Sequence, residues 1–162
     1  MRKEVMVTVV GTQKTDWGDE DTIEMITVGS YYTKNECYYI IYNESEISGM
    51  EGTTTSLKVE SNRVVLNRMG MAELRQVFEE GVLNHANYVT PYGAMKLTVM
   101  PSKVEVDLTE LGGSINLEYE LTIGNDKISD NKLSITVEED PLNAKFSSGS
   151  KGKDYGRHHG VC

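Results

Sequence analysis

The chain holds 162 residues, with 16 Lys plus Arg against 25 Asp plus Glu and a formal charge of −9. That length builds one domain around one core, and the acidic excess speaks against nucleic acid or an anionic membrane as a partner. Four Ala stand against 16 Val, 9 Ile and 14 Thr, which argues against a helical bundle and for a sheet protein.

The first residues, Met1 to Gly11, superficially imitate a secretory signal. Glu4 sits in what would be the basic region, Thr8 interrupts the apolar run, and no small-residue cleavage site follows. Alternation of Val5, Val7 and Val9 with Met6, Thr8 and Val10 predicts a first strand instead. No apolar run reaches the roughly 18 residues of a spanning helix, so a cytoplasmic protein is expected.

The same period of two continues. Ile23 to Val28 follows an acidic loop at Asp16 to Asp21, and Tyr38 to Tyr42 follows a hairpin turn at Thr33 to Glu36. Further strands are predicted at Thr53 to Val59, Val64 to Arg68, Leu97 to Val99, Val104 to Leu108, Ile115 to Ile123 and Leu133 to Val137. Turn signals separate them at Ser48-Gly49, Ser61-Asn62, Pro101-Ser102, Gly112-Gly113 and Gly124-Asn125-Asp126. Short strands at such even spacing are the pattern of an antiparallel barrel or sandwich.

Met71 to Glu80 fits two periods. Leu74, Val77 and Phe78 have helical spacing, whereas Leu74, Gln76 and Phe78 alternate. The neighbouring strands and short links favour a strand. The domain is expected to end near residue 140. Residues 141–162 hold Lys145, Lys151, Lys153 and Arg157 against Asp154, a charge of +3, and leave −12 on the first 140. Rich in Gly, Ser and Lys, this stretch reads as a flexible basic tail.

Signatures of established chemistry are absent: no G-x-S-x-G, no P-loop, no G-x-G-x-x-G and no C-x-x-C. The two cysteines, Cys37 and Cys162, make no disulfide framework, and Cys37 reads as a small buried hydrophobe. His85 reads as a surface loop residue, and His158, His159 and Cys162 as at most an adventitious chelate. No metal site, cofactor or catalytic residue is expected.

Two stretches carry more. In period two, Ile40, Tyr42, Glu44 and Glu46 share a face, as do Val64, Leu66 and Arg68. If the apolar members point inward, Glu44 and Arg68 point inward with them, and a buried carboxylate requires a partner. A Glu44–Arg68 pair with Tyr42 donating to the carboxylate is therefore expected. It is either a polar anchor in a ligand cavity or an ion pair that fixes register or sits at the rim. In Tyr88-Val89-Thr90-Pro91-Tyr92-Gly93, Pro91 extends Thr90 and Gly93 permits a bend. Tyr88 and Tyr92 either line an opening or pack on the sheet.

These stretches resemble a known group. Gly29 after Thr27, Tyr42-x-Glu44-Ser45-Glu46-x-x-Gly49, Thr53-x-Thr55, Arg68-x-Gly70 and Thr90-Pro91-Tyr92-Gly93 run in order between about Met6 and Val137. The combination resembles the uncharacterised bacterial YwiB-like β-barrel family, a domain-of-unknown-function group known from Firmicutes. The resemblance implies an all-β, antiparallel up-and-down, lipocalin-like (calycin) barrel of about eight to ten strands, wide enough for side chains or one small ligand. It implies no established catalytic residues and stops before the tail.

The expected function is binding of a small amphipathic molecule, with Tyr42, Glu44 and Arg68 as polar contacts and Tyr88 and Tyr92 at the mouth. Nine Tyr against two Phe suit a partly wet interior. The alternatives are an enzyme using Glu44 or Glu46 as acid or base, and an interaction protein working through a sheet edge or an acidic face.

Overall fold

A computed structural model describes residues 2–139, so the tail expected from residue 141 onward lies outside the described residues. Ten strands follow in chain order: β1 Lys3–Thr15, β2 Glu20–Lys34, β3 Cys37–Asn43, β4 Thr53–Val59, β5 Arg63–Gly70, β6 Leu74–Glu79, β7 Asn84–Thr90, β8 Gly93–Thr109, β9 Gly112–Ile123 and β10 Asp126–Glu139. Each strand pairs antiparallel with its chain neighbour, β6 with β7 excepted, and β1 also pairs with β10. The result is an all-β, up-and-down, nearly closed barrel, with the seam at β6 and β7.

Local chemistry explains the elements. Val5, Val7, Ile40, Leu57, Val64, Leu66, Phe78, Ile115 and Ile135 are among the buried side chains that fill the interior, and the alternate positions face outward. Asn35 and Glu36 both hold positive φ, 55° and 70°, the conformation of a tight two-residue hairpin turn between Lys34 and Cys37. Cys37 is fully buried. At Gly29 an added Cβ would lie 2.6 Å from the Ile41 carbonyl oxygen and 2.9 Å from Val7 Cγ2. Only a residue without a side chain lets β2 pass this close to β3.

Three details differ from the sequence reading. Pro101 and Ser102 do not end a strand: β8 runs through them, and the register against β9 shifts between Pro101 and Lys103. A proline has no N–H to give a ladder, so it is accommodated as a bulge. Gly112 and Gly113 open β9, and the turn lies at residues 110–111. Glu46 falls beyond the end of β3 and is exposed, so it leaves the face shared by Ile40, Tyr42 and Glu44. Within the ambiguous Met71 to Glu80 stretch, Leu74–Glu79 forms β6, paired to β5 so that Leu74 stands opposite Arg68.

Candidate functional site

Register brings the polar candidates to one level. Tyr42 stands opposite Thr55, Thr55 opposite Arg68, and Arg68 opposite Leu74. Directly opposed residues of antiparallel strands face the same side, so all four face the interior. Glu44 lies just past β3, but its N–H still donates to the Thr53 carbonyl at 2.8 Å. That bond extends the β3–β4 pairing by one residue and keeps the Glu44 side chain pointing inward.

Glu44 is 7% exposed. Its carboxylate accepts a short hydrogen bond from the Thr55 hydroxyl, and Arg68 Nε lies 3.7 Å from its Oε2. The expected pair is present, with contact through Nε alone rather than a two-pronged fork. Thr55 takes the place expected of Tyr42 as donor to the carboxylate. Burial and the Glu44 charge push the Tyr42 phenol above its ordinary range, opposed by the Arg68 charge and a Thr55 hydrogen bond.

The cluster extends across the barrel. The Tyr119 ring stands 5.0 Å from Phe78, and Tyr119 is directly opposite Asn131 in the β9–β10 pair. Burial raises the Tyr119 phenol, countered by a hydrogen bond with the Asn131 side chain and by the Arg68 charge. Gln76, 2% exposed, points inward between Leu74 and Phe78 on β6. Three buried polar atoms in this region have no hydrogen-bond partner: Arg68 Nε, Gln76 Oε1 and Asn131 Oδ1.

Up-and-down connectivity places alternate turns at one end. The turns after β1, β3, β5, β7 and β9 share the end toward which β3, β4 and β5 change from apolar to polar: Ile40 to Glu44, Leu57 to Thr53, Leu66 to Arg68. Trp17, Ile47, Met69, Met71 and Tyr92 are exposed in or beside those turns, Tyr92 at 98%. That end of the barrel is therefore polar inside and carries exposed apolar side chains on its turns. Arg68, with a side chain 20% exposed, is the member of the cluster that meets solvent.

Tyr88 is half-buried on β7 and Tyr92 sits on the β7–β8 turn. Neither forms a hydrogen bond with Glu44 or Arg68. His85 is exposed as expected, but it lies on β7 opposite Thr98 rather than in a loop, its Nδ1 2.8 Å from Thr98 Oγ1. Among the described residues, no group of three or more His, Cys, Asp or Glu could hold a metal ion.

The seam has its own geometry. Glu73 and Val89 exchange both backbone hydrogen bonds, at 2.8 and 2.9 Å, and the Val82 N–H donates to the Glu79 carbonyl at 3.0 Å. By the alternation of an antiparallel ladder, the backbone groups of Arg75 and Val77 point toward those of His85 and Asn87. No backbone hydrogen bond joins them. The Gln76 side-chain amide donates to the Val77 carbonyl at 3.2 Å and so satisfies one edge group.

Thr55, Gln76, Tyr119 and Asn131 were not candidates from the sequence. Alternation could have flagged Thr55 and Gln76, since each lies in step with buried apolar residues on its strand. Nothing local marks Tyr119 and Asn131, which reach the cluster across the barrel.

Comparison with known proteins agrees with this architecture. The chain is 29% identical over 139 residues to the uncharacterised β-barrel protein YwiB of Bacillus subtilis (strain 168), covering 85% of this chain and 96% of that protein. The crystal structure of YwiB from Bacillus subtilis superposes with a TM-score of 0.73 at 23% identity, over 86% of this chain and 93% of that one. Residues 7–135 match the domain of unknown function DUF1934, and the chain belongs to that family.

Proposed function

We propose that this barrel binds a small molecule in its interior, at the polar end. The observation that carries the reading is a buried polar cluster in which the amide oxygens Gln76 Oε1 and Asn131 Oδ1 have no hydrogen-bond partner and Arg68 Nε meets only the Glu44 carboxylate, at 3.7 Å. Buried polar groups in folded proteins are nearly always hydrogen-bonded, so two unpartnered amide oxygens in the interior call for a non-protein partner, water or ligand. Glu44 and Arg68 anchor the site, while Tyr42, Thr55 and Tyr119 supply hydroxyls. Tyr88 and Tyr92, on the β7–β8 hairpin, belong to its mouth.

An acid–base role for Glu44 has less support, because its carboxylate is buried and engaged by both Thr55 and Arg68. Capture of a partner at a sheet edge also has less support, because β1 and β10 pair and the β6 and β7 edges face each other.

Thermal denaturation against a library of metabolites and fatty acids tests the binding reading. A ligand at about 100 times its Kd adds roughly 2.7 kcal/mol of stability, so a saturable rise in Tm is expected. An interior packed solid with side chains, and no compound that raises Tm, would overturn the reading.

A further inference from the structure

The turns after β1, β3, β5, β7 and β9 are tied into one ring. The Met71 N–H donates to the Gly52 carbonyl at 3.3 Å and the Ala72 N–H to the Thr53 hydroxyl at 3.1 Å, joining the β5–β6 turn to the β3–β4 loop. The Glu73–Val89 bonds join it to the β7–β8 hairpin, and the Gly124 N–H donates to the Lys96 carbonyl at 3.1 Å. Lys127 Nζ lies 3.6 Å from Asp16 Oδ1, and the Ser45 hydroxyl donates to Met25 Sδ on β2 at 3.3 Å. Tyr92, Met71, Ile47 and Trp17 therefore stand on four consecutive turns of a connected surface, each more than half exposed. Single exposed apolar side chains are ordinary, but large ones gathered on linked turns mark an interaction surface.

Charge narrows the partner. Asp16, Asp19, Glu46, Glu51, Glu73 and Asp126 are exposed in or beside these turns, and the residues between the strands at this end include no Lys or Arg. On the adjoining strands Arg68 is engaged by Glu44 and Lys127 by Asp16 and Asp130, which leaves Lys14, Arg75 and Lys96 exposed in an acidic majority. Turns present side chains rather than a row of free backbone groups, so an extended segment gains no ladder there. A helix satisfies its own backbone and binds through side chains alone. Methionine adds an adaptable apolar contact. Residues 141–162 are basic too, but the chain leaves β10 at Glu139, at the opposite end, and their Lys and Arg are interleaved with Gly and Ser, which disfavours a helix.

We propose that this ring of turns docks a basic, amphipathic helical segment of another protein, with its apolar face on Ile47, Met71, Tyr92 and Trp17 and its Lys or Arg toward the acidic side chains. The surface lies outside the barrel and does not depend on an interior ligand.

Trp17 is the chain's single tryptophan, so its emission reports on this surface in the full-length protein. The probes are three Trp-free peptides of one length: a Leu/Lys amphipathic helix, its Leu/Glu counterpart, and a Lys/Ser peptide that carries the charge without the apolar face. The Leu/Lys helix is expected to shift the emission to shorter wavelength, saturably, and to bind about tenfold or more tightly than either of the others. Raised salt should weaken that binding without abolishing it. Ile47→Ser, Met71→Ser and Tyr92→Ser should each weaken it about fivefold or more. Leu111→Ser, at an exposed apolar side chain of the opposite end, should leave it unchanged, with circular dichroism reporting that each variant remains folded.

Equal binding of the Leu/Glu or the Lys/Ser peptide would overturn the assignment, as would an equal loss in Leu111→Ser. So would a Trp17 emission that, without peptide, shifts with protein concentration (a second copy), with salt (the chain's own basic tail) or with phosphatidylcholine vesicles (a membrane). A blank for all three peptides beside a hit in the library screen would remove this proposal and leave the interior-binding reading standing.

Discussion

Glu44 holds its place because Thr55 and Arg68 meet a carboxylate that burial would otherwise disfavour. Removing it with Glu44→Ala leaves the Arg68 guanidinium without its counter-charge. Breaking a buried pair costs roughly 3–5 kcal/mol, and partial exposure of Arg68 puts the expected loss at about 3 kcal/mol in chemical denaturation. Thr55→Val removes a single hydroxyl donor to the same carboxylate and should cost about 1–3 kcal/mol. In a double-mutant cycle the two losses should fall short of additive, because both act on one carboxylate. Near-zero loss in both single variants would show the pair to be solvated. Gly29 is a different case. Its strain-free backbone excludes φ as the reason for glycine, and the Ile41 carbonyl and Val7 methyl are the obstacle. Gly29→Ala should destabilise by roughly 1–3 kcal/mol, the range of overpacked sites, measured the same way.

Among the elements, β6 and β7 are the informative pair. Both are extended and adjacent, yet they are hydrogen-bonded only at the ends of their contact. Amide hydrogen exchange should show this directly. The Leu74, Gln76 and Phe78 amides face β5 and should be protected, whereas those of Arg75, Val77, His85 and Asn87 face the seam and should exchange far faster. Uniform protection across both strands would contradict an open seam. The seam also marks what the sequence could tell. Period two placed nearly every strand and put Glu44 and Arg68 on inward faces, because alternation is a property of one strand. It also offered Leu74, Gln76 and Phe78 as a strand face, beside a helical alternative that only pairing with β5 removes. Pro101 misled because a missing N–H ends a regular ladder but not a bulged one. The remainder of the cluster was hidden for a simple reason. Which residues of β5, β6, β9 and β10 meet at one level depends on strand register around the whole barrel, and no single strand encodes that.

For the whole molecule, the tyrosines tie stability to alkaline pH. Burial pushes the phenols of Tyr31, Tyr42 and Tyr119 above the ordinary value of 10.0. Tyr31 also donates its hydroxyl to the Thr109 carbonyl at 2.5 Å, so it is held protonated across the barrel between β2 and β8. A phenol with a raised folded-state pKa stabilises the fold fully below its unfolded value and loses that contribution as pH rises through the folded one. Stability should therefore stay flat with respect to these groups up to about pH 10 and fall above it. The phenolate absorbance of the three should appear together with unfolding. Their ionisation in a protein that stays folded would contradict burial of the hydroxyls.

The β1–β10 pairing has a consequence for synthesis. Chain growth is vectorial, so β1 leaves the ribosome first and gains β2 soon afterward. Its other edge must wait for β10, the last of the ten described strands. At 5–20 residues per second that interval is roughly 6 to 22 seconds. Throughout it, a valine-rich strand offers a free row of backbone donors and acceptors to any neighbouring nascent copy. For this fold, the period of greatest exposure to aggregation falls before the molecule is complete.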